Sequence, residues 1–137
     1  MKKIILGTVL ILSSIFANDI NVEITNILNQ NGRIAIALYN KDDDTFATMS
    51  KYYKAASLKI NAQSVIYIFK NIPNGTYAIS VIHDENQNQK LDKNIFGIPQ
   101  EGYGFSNNIR PNFRAANFEE SKFRLNEDKS LTIKIGY

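Results

Sequence analysis

The sequence of 137 residues contains no cysteine, no tryptophan and a single histidine. Without cysteine, the chain can form no disulfide, no thiolate nucleophile and no cysteine-ligated metal centre. One histidine also rules out a zinc site that needs a second imidazole. Charge is nearly balanced, because 16 basic residues stand against 13 acidic ones. No basic face therefore indicates a nucleic acid as the partner.

The composition that remains is typical of one globular domain. Hydrophobic residues make up 44% of the chain and charged residues 21%, which excludes a disordered polymer. A length of 137 residues suits one domain and is too short for two. Eight phenylalanines and seven tyrosines supply the bulk of a small β-rich core. In the absence of disulfides, that core has to hold the fold.

The N-terminal segment has the form of a secretory signal peptide. Two lysines give it a positive start, an apolar run covers residues 4–16, and Ala17 fits a small-residue cleavage site. The run is short for a membrane span, although an uncleaved N-terminal anchor is the alternative. We therefore predict a signal peptide at residues 1–17 and one domain at residues 18–137. Cleavage leaves a periplasmic or secreted protein with no transmembrane span.

Alternating apolar and polar residues predict about seven short strands separated by turn signals. An alternation with period two places one face of a strand on a core. The chain shows no long helical periodicity and no internal repeat, so the pattern favours an all-β sandwich with one long polar loop. The predicted strands cover residues 18–28, 33–39, 55–60, 64–69, 77–83, 121–125 and 131–137.

Three local patterns add detail to this prediction. Residues 64–69 are apolar on both faces, which predicts a strand that is covered on both faces or central in its sheet. Residues 73–77 read Pro-Asn-Gly-Thr-Tyr, a turn typical of a tyrosine corner, in which the phenol of Tyr77 bonds to upstream backbone. A core tyrosine beside a tight turn is the alternative. Residues 45–53 are expected to form a short helical turn.

The polar loop, residues 83–108, carries most of the candidate chemistry. Its first oxygen-bearing side chains alternate as the first three ligands of an EF-hand loop do. Calcium takes six to eight oxygen ligands, so the spacing predicts an EF-hand-like calcium loop over residues 84–95, with the modest affinity of extracellular modules. The candidate ligands are Asp84, Asn86, Asn88, the backbone carbonyl of Lys90, Asp92 and Glu101.

Two positions depart from the EF-hand pattern. The sixth is Gln89, where glycine makes the sharp turn, and the twelfth is Ile95, where a bidentate glutamate belongs. A side chain at Gln89 is expected to resist positive φ. The alternative is that asparagine and aspartate side chains order the loop by bonding to its own backbone, without any ion.

Few residues in the sequence indicate a catalytic site. No serine stands in a nucleophile elbow, and His83 at a strand end is more typical of a structural residue. A hydrolase using His83 with Asp84, Asp92 or Glu101 is the third alternative, and we assign no catalytic residue. Two aromatic residues later in the loop, Tyr103 and Phe105, either cap the end of the sandwich or form an exposed binding surface.

The loop and the strand before it resemble a known family. The segments NIPNGTYAISVIHD and HDENQNQKLDKNIFGIPQEGYGFSNN, together with GRIAIALYN, are similar to the DUF2141 family of exported bacterial proteins of uncharacterised function. The resemblance covers residues 18–137. It implies a signal peptide and a single immunoglobulin-like or transthyretin-like β-sandwich, and no activity is established for the family. The family pattern suggests glycine at position 89, where this chain has Gln89.

These observations lead to three functional hypotheses. The first is an exported, non-enzymatic binding or interaction domain whose loop, ordered by calcium, faces a protein or envelope partner. The second is a structural envelope domain that assembles through its edge strands and has no ion site. The third is the hydrolase described above.

Overall fold

The computed structural model describes residues 16–137. The predicted signal peptide, residues 1–17, lies outside this range except for its last two residues. This part of the chain forms eight strands, one short helix and one short 3₁₀ segment, Ser106–Asn108. The strands are β1 (Ala17–Thr25), β2 (Arg33–Tyr39), β3 (Lys54–Lys59), β4 (Val65–Pro73), β5 (Gly75–Asp84), β6 (Tyr103–Phe105), β7 (Phe123–Leu125) and β8 (Lys129–Lys134), and the helix is α1 (Phe118–Ser121).

The strands form two sheets that pack face to face, which confirms the predicted all-β sandwich. A three-stranded sheet has the order β4-β1-β8, with β1 antiparallel to β4 and parallel to β8. A five-stranded sheet has the order β3-β2-β5-β6, and all its pairings are antiparallel. Strand β7 joins it by pairing with the first residues of β5.

The main core lies between the two sheets and follows the alternation in the sequence. Every second side chain of a strand points to the same face, so the apolar positions of each strand meet those of the opposite sheet. These buried positions are Ile20, Val22 and Ile24 in β1, Ile34, Ile36 and Leu38 in β2, Tyr77, Ile79 and Val81 in β5, and Ile133 in β8. Burying one such side chain contributes about 1.5–3 kcal/mol.

The outer face of the five-stranded sheet, which points away from the main core, is also covered. A second cluster joins Ala37, Tyr39, Ala78 and Phe105 of the sheet to Phe46, Ala116 and Phe118 from the connecting segments. As a result, β5 is buried on both faces from Tyr77 to its end. Two of its outward residues, Ala78 and Ser80, are small, which concealed this second cover in the sequence.

The prediction that the strand at residues 64–69 is covered on both faces or central in its sheet is wrong. Strand β4 is an edge of the three-stranded sheet, and its outward residues Ile66 and Ile68 are 62% and 40% exposed. Apolar residues on both faces of a strand cannot reveal which strands lie beside it. Sheet order depends on pairings between residues distant in sequence, such as Ile24 with Val65.

The predicted tyrosine corner is confirmed. The phenol of Tyr77 donates a hydrogen bond to the carbonyl oxygen of Pro73 at 2.7 Å. This bond spans the point at which the chain leaves β4 in one sheet and enters β5 in the other. Burial raises the pKa of the Tyr77 phenol, so the hydroxyl remains a donor at neutral pH.

No helical turn forms over residues 45–53. Ala47, Met49 and Lys51 all adopt left-handed φ values, at 64°, 54° and 49°, and a right-handed helix cannot pass through them. The segment folds as successive turns across the outer face instead. Over residues 16–137, no helix is long and apolar enough to cross a membrane.

Candidate functional site

The polar loop begins where β5 ends, at the buried carboxylate of Asp84. Its two oxygens accept the backbone N–H groups of Asn88 at 3.1 Å and Gln89 at 2.8 Å. The side chain is 4% exposed, so these bonds replace the water that an aspartate normally holds. They fold the first turn of the loop back onto the end of the strand.

Glu101 fastens the other end of the loop. Its carboxylate accepts the N–H of Glu85 at 2.9 Å and the N–H of Asp92 at 3.0 Å, and the side chain is 6% exposed. The two accepted groups lie seven residues apart in the chain. One buried carboxylate therefore closes the turn of residues 85–92 from the side opposite Asp84.

The side chain of Asp92 completes the cluster. It accepts the amide groups of Asn86 and of Asn88, the latter at 2.8 Å. Lys90 donates its N–H to the Asn88 side chain at 3.0 Å. The structure thus brings together the predicted ligand side chains Asp84, Asn86, Asn88, Asp92 and Glu101 through a continuous set of hydrogen bonds.

The backbone at the sixth position makes the sharp turn despite its side chain. Gln89 has φ of 65°, and Gln87 two residues earlier has φ of 60°. The expectation that Gln89 would resist positive φ is therefore wrong. The carboxylate of Asp84 accepts the N–H groups of Gln89 and of Asn88, and these two bonds stabilise the left-handed turn at Gln89.

All six carboxylate oxygens of Asp84, Asp92 and Glu101 accept an N–H group. Over residues 16–137, no three histidine, aspartate or glutamate side chains gather as a metal-binding group. A calcium ion at this loop would thus rely on amide and backbone oxygens in addition to carboxylates. Such donors suit a hard cation, and each carboxylate oxygen keeps a second lone pair.

His83 is held in a separate buried hydrogen-bond chain. Its Nε2 lies 2.8 Å from the carbonyl oxygen of Asn31, which can only accept, so Nε2 carries the proton. Its Nδ1 then accepts the hydroxyl of Tyr137 at 2.7 Å, and that hydroxyl accepts the N–H of Leu28 at 3.0 Å. Both ring nitrogens are occupied, which identifies His83 as a structural link between β5, the β1–β2 turn and the end of the chain.

The tip of the polar loop carries large apolar side chains that face solvent. Asn94 shapes this tip, because its side-chain oxygen accepts the N–H groups of Phe96 at 2.9 Å and Ile98 at 3.1 Å. Ile95, Phe96 and Ile98 are all exposed, Phe96 to 80%. These residues are not among the predicted site residues, although an apolar Ile-Phe-Gly-Ile run within a polar loop is the signal that could have found them.

A cavity of about 830 Å³ lies between the tip of the polar loop and the outer face of the five-stranded sheet. Tyr103 and Phe105 form part of its wall, and Phe105 is buried against Phe46 with ring centroids 5.8 Å apart. Phe105 is therefore part of the cover on the outer face of the five-stranded sheet and does not cap the end of the sandwich. The other walls come from residues 47–49 and 110–115, and they include the fully exposed Phe113.

The fold and the loop define the class of this protein, an all-β sandwich with one ordered polar loop. The chain belongs to DUF2141, a family described as uncharacterised proteins conserved in bacteria, and the match covers residues 22–134. This confirms the resemblance found in the sequence. No curated protein and no solved structure matches the chain.

Proposed function

We propose that this chain is an exported, non-enzymatic binding domain whose ligand site is the cavity on the outer face. The observation that carries the proposal is the exposed apolar rim of this cavity. Phe96, Ile98 and Phe113 line it, yet they stay largely in contact with water. Large apolar side chains grouped in this way mark a binding surface, and a volume of about 830 Å³ falls in the range of ligand pockets.

The polar loop gives this site a rigid wall. Asp84 and Glu101 fasten the loop at its base, and Asn94 shapes its tip. A wall that is ordered before the ligand arrives loses less conformational entropy on binding. The N-terminal segment with the form of a signal peptide supports a periplasmic or secreted location.

Binding at the cavity is tested with Nile red, a neutral dye that fluoresces in apolar sites. The full chain should bind it saturably, and Ile98→Ser should weaken binding about fivefold, because a methyl-rich contact is lost. Ile95→Ser is the matched control. Ile95 stands in the same loop tip but does not line the cavity. Equal loss in both variants, or no saturable binding, would refute the site.

Calcium is part of the proposal as an ion that further orders the loop. Its ligands would be the side-chain oxygens of Asp84, Asn86, Asn88, Asp92 and Glu101, with the backbone carbonyl of Lys90. The left-handed turn at Gln89 supports it, since this is the position at which an EF-hand loop turns sharply.

The ion is tested by thermal unfolding with calcium at about 10 mM and with excess chelator. At ten times the dissociation constant, calcium should stabilise the fold by about 1.4 kcal/mol. The calcium-dependent rise in Tm should disappear in Asp84→Ala and persist in Asp42→Ala, an exposed aspartate outside the polar loop. No rise in the unmodified chain would leave a loop ordered by its own hydrogen bonds.

Edge-strand assembly is the second candidate, and β4 favours it. Ile66 and Ile68 are exposed on an edge strand whose outer N–H and C=O groups have no neighbouring strand within residues 16–137. Such an edge is suited to pairing with another strand. Sedimentation should then show concentration-dependent oligomers that Ile66→Lys abolishes and loop substitutions leave intact.

No comparable observation supports the hydrolase hypothesis. Neither the outer cavity nor a second cavity, of about 440 Å³, is lined by His83, Asp84, Asp92 or Glu101. A catalytic role needs a carboxylate and an imidazole that converge on a space large enough for substrate.

A further inference from the structure

The walls of the outer cavity differ strongly in charge from the rest of the chain. Of the residues that line it, four are cationic, namely Lys90, Lys93, Arg110 and Arg114, and none is an aspartate or glutamate. The chain as a whole is almost neutral, with 16 basic against 13 acidic residues. The cavity is therefore a local concentration of positive charge beside apolar surface.

Three of these four cations have no acidic partner in the part of the chain that the structure describes. Arg114 alone is paired, with both of its terminal nitrogens on the carboxylate of Glu120. Lys90, Lys93 and Arg110 form no ion pair within residues 16–137. We call these three side chains the cation rim. They are free to pair with an anion brought by a ligand.

Arg110 is held in position at this rim. Its guanidinium lies over the ring of Tyr103 at 4.3 Å and donates to the carbonyl oxygen of the same residue at 3.2 Å. A stacked guanidinium keeps its remaining N–H groups in a fixed plane, a geometry that matches a carboxylate or phosphate.

The outer cavity combines an exposed rim with a buried apolar base. The cation rim is exposed, whereas the sheet residues at the base, Ile82 and Phe105, are buried. Phe96 and Phe113, which are exposed like the cations, line the same cavity. A ligand with a hydrocarbon tail and one anionic head matches this arrangement, because its tail would cover the base and its head would remain beside the cations.

We propose that the outer cavity binds a single-chain amphiphile with an anionic headgroup, of the class of long-chain carboxylates. The inference rests on the proposed function, since it names the ligand class of the same site. The cation rim selects the head, and the apolar walls accept the tail. Its occupant is a free amphiphile and not a membrane surface, because the contact groups line a concave space of about 830 Å³.

The test uses the fluorescent carboxylate parinaric acid and its methyl ester with the full chain at low salt. The acid should bind saturably at one site, and the uncharged ester should bind about tenfold more weakly. The double variant Lys90→Gln, Lys93→Gln should bind the acid about tenfold more weakly and should bind the ester with unchanged affinity. The matched control is Lys41→Gln with Lys59→Gln, which removes the same charge from exposed sites outside the cavity and should change neither affinity.

Two results would contradict the inference without contradicting the proposed function. Acid and ester could bind equally in all variants while Nile red still depends on Ile98, which would make the cavity an apolar site without headgroup selection. Alternatively, the chain could sediment with phosphatidylglycerol vesicles while parinaric acid fails to bind, which would indicate a membrane-docking surface. If neither Nile red nor parinaric acid binds, both the inference and the proposed function fail.

Discussion

At the scale of single residues, the hydroxyl of Tyr77 has a defined task. It donates a hydrogen bond to the carbonyl oxygen of Pro73, and this bond spans the connection between β4 in one sheet and β5 in the other. Removing it in Tyr77→Phe should lower the free energy of unfolding by about 1 kcal/mol, the usual net contribution of one hydrogen bond. Urea unfolding measures this change. Tyr52→Phe, at an exposed tyrosine, is the control and should change stability by less than about 0.5 kcal/mol.

Glu120 is the residue whose ionisation departs most clearly from its ordinary range. Two hydrogen bonds from Arg114, with a further one from the N–H of Asn117, lower the pKa of Glu120 from 4.5 to about 2. Since the folded value lies below the unfolded one, the interaction stabilises the fold at pH above 4.5 and is lost as the pH falls toward 2. The pair lies at the surface, with the Arg114 side chain 56% and the Glu120 side chain 30% exposed, so the effect on stability is small.

An NMR titration of the Glu120 carboxyl carbon tests this assignment. Arg114→Gln should raise the pKa of Glu120 toward 4.5, because the largest cause of the shift is removed. Lys122→Gln removes a cation that pairs with Glu119 instead and should leave the Glu120 value unchanged. A pKa that stays near 2 in Arg114→Gln would show that the capping bond from Asn117 is sufficient by itself.

At the scale of elements, the base of the polar loop depends on Glu101. In Glu101→Gln the side chain keeps one acceptor oxygen, so either Glu85 or Asp92 loses the partner of its N–H. An unsatisfied group at this buried site costs about 1–3 kcal/mol, which should speed local amide exchange about tenfold or more. Hydrogen-exchange NMR measures the exchange rates of the Glu85 and Asp92 amides.

The matched control for the loop is Glu127→Gln, at an exposed turn between β7 and β8. It makes the same chemical change without a buried partner, so the amides of Glu85 and Asp92 should exchange at their original rates. Unchanged exchange in Glu101→Gln as well would mean that Asp84 alone orders the loop.

At the scale of the whole molecule, stability depends on which faces of the strands meet. Ile36 is fully buried between the two sheets, whereas Ile66 is 62% exposed on the edge strand β4. Ile36→Ala should therefore cost about 2–5 kcal/mol of unfolding free energy, and Ile66→Ala less than about 0.5 kcal/mol. Urea unfolding of both variants compares the same chemical change on two faces of one sandwich. Similar losses at both positions would contradict the observed sheet order.

Much of the fold could be read from residues that are near one another in sequence. The alternation in residues 33–39 predicts β2 with its observed bounds, because successive side chains of a strand point to opposite faces. The Pro-Asn-Gly-Thr-Tyr turn predicts the bond from Tyr77 for a similar reason, since donor and acceptor are four residues apart. The clustering of Asp84, Asn86, Asn88 and Asp92 follows from their short spacing in one loop.

Only the tertiary structure decided which strands are edges and where a ligand site lies. The outer cavity joins residues 47–49, 80–82, 89–91, 96–99 and 110–115, segments that share no local pattern. They meet because β2, β5 and β6 pair side by side and the connecting segments cross the same outer face. By itself, the sequence determined the period of each strand, the turn chemistry and the family. Long-range pairing determined the rest, because hydrogen bonds between distant residues set the order of the strands and thereby the neighbours of every loop.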